Sequence, residues 1–292
     1  MPELPDVERI LREIRPRLLG RRIESVRLLT PASVHSPAPT AFQRGLRGQR
    51  IGDVHRRGKY ILVALERGTL AVHLRMTGFL AARPAGVAPQ GIARAWLGLD
   101  DGSRLWFCDA RRLGTLDWLP AGASLASLET MGPEPLTADF RRAAFAAALR
   151  ARRAPIKSVL LDQRIVAGIG NVYADAILFA TKIHPRQLAA ALSDAEIRLL
   201  HRAIRRILQR AVEFDGNDWG RPRSFIDARQ RALPCPRCGA TLSSIAIGGR
   251  TTIFCGRCQA GRGAEENARA GRIAKGRAVT APGSRWARER HR

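Results

Sequence analysis

Two cysteine pairs, Cys235-Pro-Arg-Cys238 and Cys255-Gly-Arg-Cys258, constrain this chain more than any other feature, and sixteen residues separate them. A CxxC turn presents two thiolates on one side of a tight loop, and two such knuckles at this distance close a tetrahedral site for one structural Zn2+. Four protein ligands leave no open coordination position, so the metal folds the chain and does no chemistry. The fifth cysteine, Cys108, stands alone. An odd, clustered set behind a start (MPELPDVERI) that lacks a secretory pattern argues for metal and against disulfides. The pairs are expected on short strands. Gly248-Gly249-Arg250-Thr251 lies between them. A glycine-flanked arginine at a hairpin tip suits a narrow groove of negative potential; taken alone, Arg250 reads slightly more readily as an ordinary solvated arginine.

Charge narrows the partner. Fifty Lys and Arg face 25 Asp and Glu, a formal net charge of +25 with a sequence pI of about 11.6. Such an excess points to a polyanion, nucleic acid first. Part of it is an arginine bias, since only Lys59, Lys157, Lys182 and Lys275 are lysines. No apolar run approaches the ~20 residues of a membrane span. No stretch is both amphipathic and basic beside Trp or Phe, which makes a membrane surface the weaker partner. A soluble cytoplasmic, nucleoid-associated protein is expected.

Periodicity divides the chain. Val7, Ile10, Leu11, Ile14 and Leu18 recur at helical spacing, with Pro5 suited to the first turn. A β-rich stretch follows: Ile61–Leu65 and Leu70–Leu74 flank Arg67-Gly68, and Trp96–Leu99 and Leu105–Phe107 flank the turn Asp100–Ser103. Trp96, Trp106, Phe107 and Cys108 read as core strand residues. After Met131-Gly132-Pro133 the pattern becomes helical. Helices are expected from Thr137 to about Arg153, from Pro155 to about Val166, from the Gly168–Asn171 break to about Ile183, and from the capping box Ser193–Glu196 onward. Apolar periodicity ends near Gln259, and residues 261–292, with nine basic and three acidic side chains, read as a disordered basic tail.

The start, Met1-Pro2-Glu3-Leu4-Pro5, carries the chemistry. A small second residue permits removal of Met1. The freed secondary amine of Pro2 is partly neutral near pH 7, unlike a lysine with its pKa of about 10.4. A neutral amine can attack a sugar C1′ and form a Schiff base, with Glu3 beside it to move protons. Most proteins that begin Met-Pro use neither residue chemically.

The assembled motifs, from residue 1 to about 259, resemble the formamidopyrimidine-DNA glycosylase and endonuclease VIII family. PELPDVE is close to the formamidopyrimidine branch. Arg57-Gly58-Lys59-Tyr60, His73–Gly78 with Met76, Asp109–Gly114 with Arg111, and Gly168–Ala174 with Asn171 match further family segments in order. The resemblance implies an α+β protein: an N-terminal β-sandwich domain with helices (1–130), a helix–two-turns–helix DNA-binding domain (131–225), a β-hairpin four-cysteine zinc finger (226–260), and the tail (261–292). It implies a bifunctional DNA glycosylase and abasic-site lyase of base excision repair. Pro2 would be the nucleophile, Glu3 would assist proton transfer, and β,δ-elimination would follow. Lys59 would contact phosphates and support catalysis, Arg250, also of the catalytic set, would bind phosphates next to the lesion, Asn171 would bind a backbone phosphate, and Lys157 would be a further DNA-binding residue. Met76 and Leu113 would wedge into the hole left by a flipped base, with Arg111 bonding the widowed base. The partner would be double-stranded DNA with an oxidised base or abasic site, engaged by a monomer.

Four positions depart from the family pattern. Leu113 replaces the usual phenylalanine of the branch and stacks less well on bases. Ala110 replaces a proline, which would loosen its loop. Ala176 replaces a glutamate, with Asp175 about 100° away on the helix. The segment Phe214–Pro234 is short where the branch carries a longer lid. The alternatives are a non-catalytic paralogue that binds damaged or abasic DNA and, more remotely, an RNA-binding zinc protein, which aromatic residues at only 5% disfavour.

Overall fold

The computed structural model describes residues 1–214 and 224–260. The tail, and residues 215–223 of the short segment, lie outside them. Helix α1 (Leu4–Leu18) buries the predicted stripe of Val7, Ile10, Leu11, Ile14 and Leu18. Asp6 accepts a hydrogen bond from the Glu3 amide at 2.9 Å and caps the first turn.

Nine strands and a helix follow: β1 (Ile23–Leu28), β2 (Val34–Ser36), α2 (Pro39–Leu46), β3 (Ile51–Arg57), β4 (Tyr60–Leu65), β5 (Gly68–His73), β6 (Gly78–Arg83), β7 (Ala93–Leu99), β8 (Arg104–Asp109) and β9 (Thr115–Pro120). They form two sheets, β1-β7-β8-β6 and β2-β9-β5-β4-β3, antiparallel apart from the β2–β9 pair. Inward residues of both sheets, with α1 and α2, make one core that includes Ile23, Phe42, Ile61, Val72, Leu97 and Phe107. Each such side chain contributes roughly 1.5–3 kcal/mol on leaving water.

Strand register sets the functional end of this sandwich. Arg57 pairs with Tyr60, Tyr60 with His73, and His73 with Thr115, while Gly78 pairs with Asp109 in the other sheet. The β3–β4 turn, the β5–β6 connection and the β8–β9 connection therefore emerge together. They carry Lys59, Met76, and Arg111 with Leu113.

The second half is helical: α3 (Ala126–Glu129), α4 (Arg142–Arg150), α5 (Ile156–Leu161), α6 (Asn171–Thr181), α7 (Asp194–Glu213) and α8 (Phe225–Arg231). Two helices are shorter than their sequence patterns. Thr137 does not cap one; its hydroxyl donates to Glu134 O and accepts from Asp139 N in a local turn, and the helix begins at Arg142. Helix α5 stops at Leu161, where Gln163 takes over the carbonyls of Leu161 and Ile169 and accepts from Gly168 N. The Ser193–Glu196 capping box opens α7 as its spacing predicts. Leu4 belongs to this helical core, whereas Val7 belongs to the sandwich core, so the N-terminal segment bridges the two.

The last element is a hairpin, β10 (Ser243–Ile247) and β11 (Arg250–Phe254). Ile247 pairs with Arg250 across Gly248-Gly249, whose φ values of 57° and 71° are those of a tight I′ turn. The cysteine pairs are in turns that flank this hairpin, not on strands as expected. A knuckle needs a reversal to aim both sulfurs one way, and an extended strand alternates them.

Candidate active site

Glu3 is the most constrained group near the N-terminus. It is 2% exposed, and its carboxylate accepts from Gly170 N and Val172 N at 2.8 Å and Tyr173 N at 3.1 Å. These are the unpaired amides that open α6, where the positive end of the helix dipole favours an anion. The GIGN break exists to permit this approach. A Cβ on Gly170 would overlap the Glu3 carboxyl group, and one on Gly168 (φ 83°) would lie 2.7 Å from Leu4. Leu4 N also donates to Gly168 O at 3.0 Å. Burial raises the Glu3 pKa above its ordinary value, against the pull of Lys59 and the three amides. Pro2, the residue before Glu3, is half-buried, and Met1 is exposed.

Lys59 arrives from the β3–β4 turn and is 8% exposed. Burial lowers its pKa, the Glu3 charge opposes that shift and Arg250 adds to it. Lys59 thus feels the charge of both Glu3 and Arg250. The turn is clamped by Glu134, which accepts from Gly58 N and Arg56 Nη1 at 2.6 Å and Arg57 Nη1 at 3.3 Å. Gly58 has φ 57°, and a Cβ there would strike the Met131 sulfur at 2.5 Å. Next to Lys59 is His73, edge-on to Tyr60 at 4.6 Å. Burial first, then Arg75 and Lys59, depress its pKa to about 3, so the ring is neutral near pH 7 and its Nδ1 accepts from Arg75 N. Sequence reasoning did not name Glu134 and gave His73 no role of its own. His73 opens the HLRMTG segment and Glu134 directly follows Met131-Gly132-Pro133, which was the available signal.

Lys157 does not face outward as expected, whereas Asn171 is half-exposed and spends one hydrogen bond on the hairpin. Asn171 donates to Thr251 O at 2.9 Å. Lys157, read as a DNA contact, is 0% exposed and bonds Asp175 Oδ1 at 2.5 Å and Thr251 O at 3.3 Å. Asp175 Oδ2 accepts from Arg229 Nε at 2.8 Å and Ile253 N at 3.1 Å. A lysine with no exposed surface cannot meet a phosphate, and its ammonium is spent on the hairpin backbone. Burial lowers the Lys157 pKa and Asp175 opposes the shift. The Lys157–Asp175–Arg229 cluster therefore binds α5, α6 and α8 to β11 and aims the exposed Arg250. It also locates the acid next to Ala176: Asp175 is buried and paired, while Ala176 simply packs in the core.

Met76 and Leu113 are 40% and 44% exposed, unusual for large apolar side chains, and Arg111 is exposed with them. Arg75 (φ 50°) and Arg112 (φ 57°) hold left-handed backbone without being glycine. Such residues cost about 1–3 kcal/mol each and persist only where surrounding contacts impose them. Cys108, by contrast, is fully buried in strand β8, as expected of a core residue.

The four remaining sulfurs all lie within 4.8 Å of one another, with Cys235–Cys258 at 3.8 Å and Cys238–Cys255 at 3.6 Å. Zn–S bonds of ~2.3 Å in a tetrahedron put sulfurs about 3.8 Å apart, so the donor set fits zinc. Gln259 ties the second knuckle to the helical core, accepting from Cys255 N and donating to Ile183 O, each at 2.9 Å.

A buried acid next to the N-terminus, a buried lysine that feels its charge and an exposed arginine on a zinc hairpin define a class of basic, zinc-bearing proteins suited to DNA. The family follows from comparison with known proteins. Residues 1–116 match the formamidopyrimidine-DNA glycosylase N-terminal domain, 131–221 its H2TH domain, and 232–261 a zinc finger found in FPG and IleRS. The chain belongs to the formamidopyrimidine-DNA glycosylase family. It is 40% identical over 273 residues to the formamidopyrimidine-DNA glycosylase of Symbiobacterium thermophilum, covering 89% of each chain. Among solved structures it is similar to Lactococcus lactis formamidopyrimidine-DNA glycosylase bound non-covalently to abasic-site DNA (TM-score 0.80, 32% identity, 88% of this chain and 99% of that one). The same enzyme in complex with FAPY-dG DNA matches with TM-score 0.77 and 31% identity over the same shares.

Proposed function

We propose that this protein excises oxidised bases from duplex DNA and cleaves the resulting abasic site through a Schiff base on Pro2. The observation that carries this reading is that Glu3, the neighbour of Pro2, is buried on the α6 amides and that the buried Lys59 feels its charge. Removal of Met1 frees the Pro2 amine. Its nitrogen attacks C1′ as the C1′–base bond breaks, and the base departs with a proton. Glu3 holds a proton to higher pH than an exposed carboxylate does, which suits it to this transfer and to opening of the sugar ring. The iminium then acidifies C2′, and loss of that proton expels the 3′ phosphate; a second elimination expels the 5′ phosphate. Lys59 and Arg250 hold the phosphates that flank the lesion, and neutral His73 offers a ring N–H to the same strand. Asn171 keeps one amide hydrogen for a phosphate while the other fixes Thr251. Lys157 acts indirectly, through the hairpin.

Flipping a base costs a few kcal/mol of stacking and pairing. Met76 and Leu113 fill the vacancy, and Arg111 bonds the widowed base. The substrate class is purines oxidised or opened to formamidopyrimidines. No helix among the described residues is long and apolar enough to cross a membrane. A monomer working along chromosomal DNA fits the basic charge and the single constellation of residues.

The test is borohydride trapping on a duplex with one abasic site. A covalent adduct that disappears in Pro2→Gly and in a form retaining Met1 supports the mechanism. Tight binding without an adduct, by protein with a processed N-terminus, would turn the reading into that of a damage-binding paralogue.

A further inference from the structure

The residues that fill the vacated duplex sit on two connections with no core of their own. Both are tied to one buried carboxylate. Asp109, 1% exposed, accepts from the Thr77 hydroxyl and from Arg111 N (3.1 Å) through Oδ1, and from Leu113 N and Gly114 N (2.7 Å each) through Oδ2. Thr77 follows Met76, and Leu113 is itself a wedge residue. Behind Asp109 lies Arg94, 6% exposed. Its Nε donates to Asp109 O at 2.7 Å, its Nη2 to Ala110 O at 3.2 Å and its Nη1 to Thr30 Oγ1 at 3.4 Å. Arg94 O in turn accepts from Leu29 N and Thr30 N at 2.8 and 2.9 Å.

The backbone explains why this side chain points there. Ala93 pairs with Cys108 and Ala95 with Phe107, so Arg94 is the extra residue of a register shift between β7 and β8. A bulge re-aims its side chain and often does so beside a functional loop. Position 110 is alanine, which leaves φ freer than a proline would. A guanidinium that grips the carbonyls of residues 109 and 110 restricts the same backbone from outside.

We propose that Arg94 and Asp109 are positioning residues that hold Met76, Arg111 and Leu113 as one preformed wedge, with Arg94 supplying the rigidity that Ala110 lacks. This rests on the glycosylase reading. It predicts a split between two activities. Opening a paired lesion needs the wedge in register, and a misplacement of about 1 Å can cost 10²-fold. Schiff-base formation at an abasic site that is already exposed needs it far less.

The experiment compares Arg94→Met, Arg94→Lys and Arg94→Met/Ala110→Pro with the unmodified protein on two probes. One is a duplex with a formamidopyrimidine lesion and 2-aminopurine next to it. The other is a single strand with an abasic site, trapped by borohydride. Arg94→Met is expected to lower single-turnover excision by about 10- to 100-fold and to abolish the 2-aminopurine signal of insertion, with trapping little changed. Lysine, which can grip one carbonyl, restores part of the loss, and Ala110→Pro restores more. Unchanged excision and fluorescence overturn the proposal, as does a parallel fall in both activities or no rescue by proline. If the unmodified protein itself traps nothing, the glycosylase reading fails instead, and 2-aminopurine, which needs only binding, still reports on the wedge.

Discussion

Two projections, the Arg250 hairpin and the connections that carry Met76, Arg111 and Leu113, are held by different physics. The hairpin that carries Arg250 has two strands of five residues and only a few buried side chains of its own, Ile247 and Phe254 among them. A two-stranded ribbon this small is not stable in water by itself. It is fastened twice, by four thiolates at its base and by Lys157, Asp175 and Arg229 along one strand. The wedge connections grow from sheets that already bury a large core, so their ends are fixed by strand register. They need only internal hydrogen bonds, which Asp109 and Arg94 provide. A projection without a core is secured with metal and buried charge; one rooted in a sheet is secured with a single carboxylate.

This contrast can be broken in order of effect. Zinc removal by a strong chelator, or Cys238→Ser, should release the hairpin and abolish cleavage of abasic DNA, because structural zinc in small domains is worth about 10 kcal/mol or more. In a Trp219→Phe/Trp286→Phe background, tryptophan fluorescence from Trp96, Trp106 and Trp118, all in the sandwich, should stay native; its loss would show that the two projections are not independently held. Asp175→Asn leaves Lys157 without its buried partner and should cost about 3–5 kcal/mol in denaturant titration, with weaker trapping at an abasic site. Asp109→Asn removes a carboxylate that answers amide and hydroxyl donors only, for which about 1–3 kcal/mol is expected, with excision reduced more than trapping. An equal cost for both variants would erase the distinction between buried charge and buried hydrogen bonding.

A pH titration sharpens the second half of the comparison. Burial pushes the Asp109 pKa up, but donation from Thr77, Gly114, Arg111 and Leu113 outweighs it and holds the value below 3.8. The unfolded chain therefore binds the proton first on acidification. The stability that Asp109 contributes is fully present above pH 3.8 and is lost as pH falls through the native value. The margin of the unmodified protein over Asp109→Asn should shrink accordingly; a constant margin would mean that the charge plays no part. The smallest effect is expected from Leu113→Phe. It should change stability by less than about 0.5 kcal/mol, since the side chain is exposed, and raise excision modestly through better stacking.

Much of this was readable from residues. Spacing alone marked the zinc ligands, the stripe of α1, the α7 capping box and the hairpin turns, because each depends on neighbours within a few positions. Lys59, Met76 and Arg111 were legible as members of motifs. The direction of a side chain was not. Lys157 and Asn171 read as phosphate contacts, yet both bond Thr251, a residue 94 and 80 positions away. Asp175 was dismissed for facing the wrong way, and that direction is what buries it between Lys157 and Arg229. Arg94 gave no signal at all, since a bulge is a disagreement between two strands and belongs to neither one.

By itself, then, the chain determined its local chemistry: two thiolate knuckles, a neutralisable amine beside an acid, glycines where left-handed backbone or close approach is required, and a large positive charge. These follow from covalent structure and short-range geometry. Tertiary structure alone decided which charges meet. Burial in a low-dielectric interior makes an ionic group costly unless a partner is supplied, and for Glu3 and Lys157 those partners come from 167–170 and 18 residues away. Only the folded chain reveals that the first is answered by the opening amides of a helix and the second by an aspartate that faces a zinc hairpin.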